Sequence, residues 1–115
     1  MITKIYHNTR CSKSRATLAI LEQNDVDFEV VNYLDNPPSE SELKAIVKDL
    51  GISARDLIRR GESKYKELGL SDKSLSEDQL IKAMLECPIL IERPIVRTEN
   101  GVAIGRPPEN INSIL

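Results

Sequence analysis

The chain has 115 residues, of which 40% are hydrophobic and 30% charged, and its formal net charge is −2. This size and composition fit one folded domain over residues 1–115 and exclude wholesale disorder, and the charge gives no general attraction to nucleic acid. No apolar run is long enough to span a bilayer and no signal peptide is recognisable, so we expect a cytoplasmic protein that binds neither membranes nor nucleic acid. We also expect a monomer.

The first third of the chain predicts a strand, a helix and a second strand. The segment "TKIYH", residues 3–7, is typical of a short strand. The helix that follows can be capped by Ser12 or Ser14. Alternating polarity in the segment "VDFEVVNYL", residues 26–34, indicates the second strand. The apolar stripe of the helix is predicted at Ala16, Ala19 and Ile20, with Leu18 and Leu21 widening it.

The rest of the chain predicts several helices, a hairpin and a terminal helix. The helices are expected to begin at Ser39 or Ser41, at Ser53 and at Ser76, with Gly51 ending the first of them and Pro88 following the last. Asn100-Gly101 is a strong hairpin signal, and residues 109–115 can form a terminal helix with Ile111, Ile114 and Leu115 packing inward. This order predicts an α/β fold with a small mixed sheet flanked by helices, which the thioredoxin-like arrangement satisfies.

Cys11 stands where the first predicted strand gives way to the first helix. Arg10 and Lys13 are close to it in "HNTRCSKSRATL", and Arg15 follows. Both a helix N-terminus and nearby cations stabilise a thiolate and lower the pKa of a thiol. The alternative is a small structural residue at a turn, but the surroundings favour a reactive thiolate, so Cys11 is the candidate nucleophile.

The remaining thiol and the histidine leave more than one interpretation open. Thioredoxins and glutaredoxins have a second cysteine where this chain has Ser14, so Cys11 must be resolved by Cys87 or by an external thiol. Cys87 lies in the apolar stretch "LECPIL", where we expect core or half-buried packing. His7 either ends the strand or interacts with the Cys11 loop. Two separated cysteines and one histidine predict no metal site.

Three arginines stand apart from the charged helix surfaces. Arg59 lies in "DLIRRG", while Arg93 and Arg106 each precede a proline. Arginine binds tetrahedral oxyanions through paired N–H donors. Each arginine alone could be surface charge, but three that converge on a thiolate would hold an oxyanion for attack.

Five blocks of the sequence, in order, resemble the glutaredoxin-dependent arsenate reductase family (ArsC-like). They are "IYHNTRCSKSRATL", "YLDNPPSESEL", "LGISARDLIRRGESKYKELGL", "LIKAMLECPILIERPIV" and "IGRPPENINSIL", and together they span the chain almost from end to end. Members from resistance operons read Asn-Pro-x-Cys-Gly-Thr-Ser around the cysteine and carry a C-terminal extension. The motif "CSKSR" and the shorter chain resemble the short housekeeping, arsenate-reductase-like branch instead.

The resemblance implies a single thioredoxin-like arsenate reductase domain over residues 1–115, with an inserted helical region. It implies that Cys11 attacks arsenate, and that a proline at the position of Pro94 follows a cis bond. Glutathione is then the co-substrate, glutaredoxin is a partner, and no cofactor is bound. The matching oxyanion-binding positions are Arg59, Arg93 and Arg106, and His7 matches the histidine that favours the thiolate, with Ser14 assigned to the same role.

Two other functions stay open at this point. A general glutathione-linked thiol oxidoreductase would use Cys11 without arsenate and with little need for Arg59 and Arg106. A redox-responsive transcription regulator of the Spx-like type shares the fold, but it usually carries a second cysteine at the position of Ser14.

Overall fold

The structure is a computed structural model that describes residues 2–115. The chain forms two compact units: one is the segment up to Asn36 together with Arg93–Leu115, and the other is Pro37–Glu92. In sequence the second unit is thus an insertion between the two parts of the first. No helix of residues 2–115 combines the length and apolar character that crossing a membrane requires.

The first unit contains a four-stranded mixed sheet with the strand order β2-β1-β3-β4. Strand β1 pairs parallel with β2 and antiparallel with β3, and β3 pairs antiparallel with β4. Helix α1 connects the two parallel strands, as a parallel pair requires. The strands are β1 (Thr3–Tyr6), β2 (Phe28–Val31), β3 (Ile95–Thr98) and β4 (Gly101–Ile104), and α1 is Ser12–Gln23. The predicted mixed sheet with helices is confirmed.

The buried face of α1 differs from the predicted stripe. Ala16 and Ala19 are exposed, and the buried residues of this helix are Ser14, Thr17 and Leu21. The prediction followed apolar character alone, whereas two polar side chains are buried because hydrogen bonds satisfy them. The hydroxyl of Thr17 donates to the Lys13 carbonyl at 2.8 Å. A polar stripe of α1 therefore faces inward.

A small apolar core joins α1 to the sheet and to the C-terminal segment. Ile5 of β1 and Val96 of β3 are register partners, and both are fully buried. The predicted terminal helix is confirmed, as a 3₁₀ helix over Pro108–Ile114. Its Ile111 and Ile114 are buried as predicted, and they complete a cluster with Ile5, Leu21 and Val96.

Strand β2 is shorter than predicted and lies at one edge of the sheet. The chain leaves the strand at a turn in which the N–H groups of Asp35 and Asn36 both donate to the Asn32 carbonyl, at 3.0 and 2.9 Å. At this edge Val30 remains 41% exposed. The alternating pattern therefore located the strand but overestimated its length.

The predicted hairpin is confirmed, with a small difference in its turn. Thr98 pairs with Gly101, so Glu99 and Asn100 form the two-residue loop. The hydroxyl of Thr98 accepts from the Asn100 N–H at 3.0 Å and donates to the Ile114 carbonyl at 2.7 Å. Thr98 thus fixes both the turn and the end of the chain.

The second unit is helical, and its helices begin close to where the sequence predicts. The Ser39 and Ser76 hydroxyls cap the helices that follow them by accepting backbone N–H bonds, and Ser53 is the N-cap of a short helix between these two. Gly51 ends the helix that Ser39 begins, and its backbone is left-handed with φ 69°. The short helix α4 was not predicted. The helices are α2 (Glu40–Leu50), α3 (Ala54–Leu57), α4 (Ser63–Glu67) and α5 (Glu77–Glu86), followed by a 3₁₀ turn, Pro88–Leu90.

Candidate active site

Cys11 is the N-cap residue of α1, so the prediction that Ser12 or Ser14 caps this helix is wrong. Its backbone is extended, with φ −93° and ψ 121°, and its carbonyl accepts the first helical bond from the Arg15 N–H at 3.0 Å. Its own N–H donates to the Asn8 carbonyl at 3.0 Å, which closes the turn before the helix. The N-cap position places a side chain beside the first free N–H groups of a helix.

The half-buried thiol of Cys11 has a pKa below its ordinary value. Burial raises this pKa, but the backbone N–H of Ser14, the Arg93 side chain and the backbone N–H of Lys13 together outweigh burial. These donors favour the thiolate, which is the nucleophilic form. Lowering the pKa enlarges the reactive fraction at neutral pH.

The positive charge that acts on the thiol comes from a distant part of the chain. The sequence predicted that the basic side chains around Cys11 supply it, but the cation that lowers the pKa of Cys11 is Arg93. Lys13 acts through its backbone N–H, and the Arg15 Nη1 donates to the Thr9 carbonyl at 2.9 Å. The neighbours in sequence shape the loop, and Arg93 supplies the charge.

Arg106 is a second guanidinium beside the thiol. Its Nη1 lies 3.9 Å from the Cys11 Sγ and donates to the Arg93 carbonyl at 3.3 Å. Arg106 is exposed while Arg93 is buried, so one cation beside the sulfur contacts solvent and the other is largely shielded from it. The Arg93–Pro94 peptide bond is cis, as the resemblance implied, and so is the Arg106–Pro107 bond.

Gly105 allows the chain before Arg106 to pack closely against α1, and nothing in the sequence pointed to this glycine. A Cβ at this position would overlap the Thr17 hydroxyl oxygen and lie 2.8 Å from the Pro94 Cγ. The Gly105 N–H also donates to the Pro94 carbonyl at 2.9 Å. A side chain here would therefore displace the segment that carries Arg106.

His7 and Ser14 lie behind the Cys11 turn and contact each other. The His7 Nδ1 is 2.6 Å from the Ser14 Oγ, and the same oxygen accepts from the Asn8 N–H at 3.0 Å. Burial and the charge of Arg15 lower the pKa of His7 below its ordinary value. Both residues thus lie beside the Cys11 turn, and the lowered pKa favours the neutral form of His7.

Arg59 and Cys87 belong to the second unit. The backbone of Arg59 continues a bridge between Ile58 and Ile91, where its N–H donates to the Leu90 carbonyl at 2.7 Å. The Arg59 guanidinium forms ion pairs with Glu62, at 3.1 Å, and with Glu92, at 2.7 Å. Cys87 is half-buried at the C-terminus of α5, as predicted, and both thiols are free.

The arrangement around Cys11 combines a nucleophile with donors for an anion. An ionisable sulfur lies beside two guanidinium groups, and such forks bind tetrahedral oxyanions through paired N–H donors. Residues 2–115 contain no cluster of three or more His, Cys, Asp or Glu side chains that could hold a metal ion. The residues around Cys11 are therefore suited to thiolate attack on an anionic centre.

Comparison with known proteins agrees with this chemistry. Residues 6–114 match the ArsC family. A protein of Neisseria meningitidis named arsenate reductase is 51% identical over 97% of each chain, and a protein of Escherichia coli K12 named uncharacterized protein YfgD is 53% identical over 97% of this chain and 95% of its own. The solved structure of an arsenate reductase from Vibrio cholerae superposes with a TM-score of 0.95 at 48% identity, covering 100% of this chain and 98% of that one. The thioredoxin-like fold is thereby confirmed.

Proposed function

Because the chain belongs to the ArsC family, we propose that it reduces arsenate to arsenite through the Cys11 thiolate, with glutathione and glutaredoxin as external thiol donors. One observation carries the proposal: the Arg106 Nη1 lies 3.9 Å from the sulfur of a thiol whose pKa Arg93 and helix N–H groups lower. The names of the relatives support arsenate as the substrate.

The first step joins arsenate to the protein without a change of oxidation state. The Cys11 thiolate attacks arsenic(V), a sulfur–arsenic bond forms, and a protonated oxygen leaves as water or hydroxide. Arg93 and Arg106 hold the remaining oxygens beside the sulfur, so that arsenic and the thiolate are already aligned for attack. Arg59 is the third arginine that the resemblance assigns to the oxyanion, and this role is part of the proposal.

The second and third steps use thiols from outside the chain. A glutathione thiolate attacks the Cys11 sulfur of the adduct, and the electron pair of the sulfur–arsenic bond stays on arsenic, which leaves as arsenite. Cys11 and glutathione are then joined in a mixed disulfide. A glutaredoxin thiolate attacks the glutathione sulfur and releases the Cys11 thiolate. Serine at position 14 suits this cycle, since it offers no neighbouring thiol.

A coupled assay tests the proposal. Arsenate-dependent oxidation of NADPH is measured with glutathione, glutathione reductase and glutaredoxin, for the native chain and for Cys11→Ser and Cys87→Ser. We expect activity in the native chain, none in Cys11→Ser and most of it in Cys87→Ser. Omission of glutaredoxin should slow turnover strongly. A native chain that reduces no arsenate would refute the activity, and an inactive Cys87→Ser would point to an internal resolving thiol.

The same assay separates a general thiol oxidoreductase from an arsenate reductase. A glutathione mixed disulfide replaces arsenate as the substrate, and Arg106→Ala is compared with the native chain on both substrates. We expect Arg106→Ala to lose arsenate turnover selectively. Rapid reduction of the mixed disulfide that does not depend on Arg106, without arsenate turnover, would favour the general oxidoreductase.

A further inference from the structure

A buried polar cluster, defined by His7, Asn8 and Ser14, lies directly behind the Cys11 turn. These residues are only 5%, 6% and 0% exposed. Buried polar groups are costly unless they are hydrogen-bonded, so the positions of their hydrogens are constrained. The arrangement of hydrogens in this cluster decides what His7 can contribute to the thiol.

Ser14 connects this cluster to the thiol through two different groups. Its backbone N–H is one of the donors that lower the pKa of Cys11. Its Oγ accepts from the Asn8 N–H at 3.0 Å and lies 2.6 Å from the His7 Nδ1. The Asn8 carbonyl in turn accepts the Cys11 N–H at 3.0 Å, which links the cluster back to the nucleophile.

The Ser14 hydroxyl has one hydrogen to donate and two lone pairs to accept with. One lone pair is used by the Asn8 N–H. If His7 carried a hydrogen on Nδ1, the Ser14 Oγ would accept twice, and its own buried hydrogen would have no acceptor within residues 2–115. If the hydroxyl donates to an unprotonated Nδ1, the buried Ser14 hydrogen has a partner and its oxygen still accepts the Asn8 N–H.

We infer that Ser14 donates to the His7 Nδ1, so that His7 is a neutral imidazole with its hydrogen on Nε2 and acts as a positioning residue. A cationic His7 would need a hydrogen on both nitrogens and would break this arrangement. The surroundings agree, since burial and the nearby Arg15 charge disfavour an added proton on His7. The thiolate then depends on Arg93 and the helix N–H groups for its stabilisation.

This assignment changes the role that the resemblance gave to His7 and Ser14. The Ser14 hydroxyl is occupied by His7 and Asn8, so Ser14 reaches the sulfur through its backbone N–H. His7 fixes that N–H by accepting the hydroxyl hydrogen, and its contribution is geometric. The hydrogen positions stand on the structure alone, whereas their importance for turnover rests on the proposed function.

Nuclear magnetic resonance tests the hydrogen positions directly, because His7 is the only histidine in the chain. The ring nitrogens of the ¹⁵N-labelled native chain are observed at neutral pH without arsenate. We expect Nδ1 to resonate as an unprotonated nitrogen and Nε2 as a protonated one. A protonated Nδ1, in either the other neutral form or the cation, would overturn the inference.

Variants of His7 test the positioning role through the reactivity of Cys11. In a Cys87→Ser background, the rate of alkylation by iodoacetamide at neutral pH is compared for His7→Asn and His7→Ala. An asparagine Oδ1 can accept the Ser14 hydroxyl hydrogen but cannot carry a positive charge. We expect His7→Asn to keep the rate within about twofold, and His7→Ala to lower it by up to about tenfold, the largest effect that a rise of one pKa unit has on the thiolate fraction.

Each other outcome contradicts the inference. An equal loss in both variants would assign a charge role to His7, and no loss in either would remove the positioning role. Circular dichroism verifies folding, and if His7→Ala is unfolded, the comparison of His7→Asn with its parent decides alone. Neither measurement uses arsenate, so a failure of the proposed arsenate reduction would be seen separately in the coupled assay.

Discussion

The Arg106 guanidinium lies 3.9 Å from the Cys11 sulfur although 95 positions separate the two residues in the chain. The hairpin of β3 and β4 accounts for this proximity. Arg93 stands just before β3 and Arg106 just after β4, so the two ends of one hairpin return to the N-terminus of α1. The same hairpin therefore supplies the charge that lowers the pKa of the thiol and the exposed donor that can meet an incoming anion.

Replacing Arg106 should impair the handling of arsenate and leave the thiol reactive. A hydrogen bond to a charged group contributes about 1.5–3 kcal/mol, so we expect Arg106→Ala to lower kcat/KM for arsenate by about tenfold to a hundredfold. The alkylation rate of Cys11 should fall far less than this, because Arg93 and the helix N–H groups that lower its pKa remain in place. Steady-state kinetics and alkylation by iodoacetamide measure the two effects.

Arg10→Ala is the matched control for Arg106→Ala. Arg10 is exposed and adjacent to Cys11 in sequence, and its backbone N–H, which bonds the Asn8 side chain, is unaffected by the change. We expect arsenate kinetics within about twofold of the native chain, as for an exposed charge whose interactions solvent screens. Equal losses in both variants would mean that general surface charge, and not the position of Arg106, governs the reaction.

Replacing Arg93 should change the ionisation of Cys11. Its hydrogen bond and its charge both lower the pKa of the thiol, so Arg93→Ala should raise that pKa and move the alkylation profile to higher pH. A raised pKa leaves less thiolate at neutral pH, and the rate there should fall. Arg93→Lys keeps the charge and should recover part of the shift. An unchanged profile in Arg93→Ala would remove Arg93 from the stabilisation of the thiolate.

Gly105→Ala should disturb both stability and the position of Arg106. The added Cβ would overlap the Thr17 hydroxyl and crowd Pro94, and overpacking of this kind typically costs about 1–3 kcal/mol. We expect a lower urea midpoint and a lower kcat/KM for arsenate. Gly61→Ala is the control, since a Cβ there meets nothing within 4 Å. Similar midpoints for the two variants would show that the segment before Arg106 can accommodate a Cβ without loss of stability.

The sequence predicted those features that local chemistry determines. The Ser39 and Ser76 caps, the Gly51 helix end and the hairpin depend on residues within a few positions of one another, and all of them are present. The Arg93 contact with Cys11 depends on how the hairpin packs on α1, which no short pattern encodes. For the same reason the tight fit of Gly105 against Thr17 was not predicted.

At the cap of α1 the candidate nucleophile occupies a position for which the local pattern favours serine. Serine is a preferred N-cap residue and cysteine is not, so Ser12 and Ser14 were favoured over Cys11. In the structure Cys11 occupies the cap position, and Ser14 is turned inward toward His7. A cysteine at this position is a weaker N-cap than serine. It does, however, place a thiol beside free helix N–H groups, which lower the pKa of the thiol.

The ionisation of Cys11 is the central claim, and titration of the thiol measures it most directly. In the Cys87→Ser variant, the ultraviolet absorbance of the thiolate is followed as the pH is raised, with Cys11→Ser as the blank. Since the helix N–H groups and Arg93 outweigh burial, the midpoint should lie below the pKa of free cysteine. A midpoint at or above that of free cysteine would contradict the account.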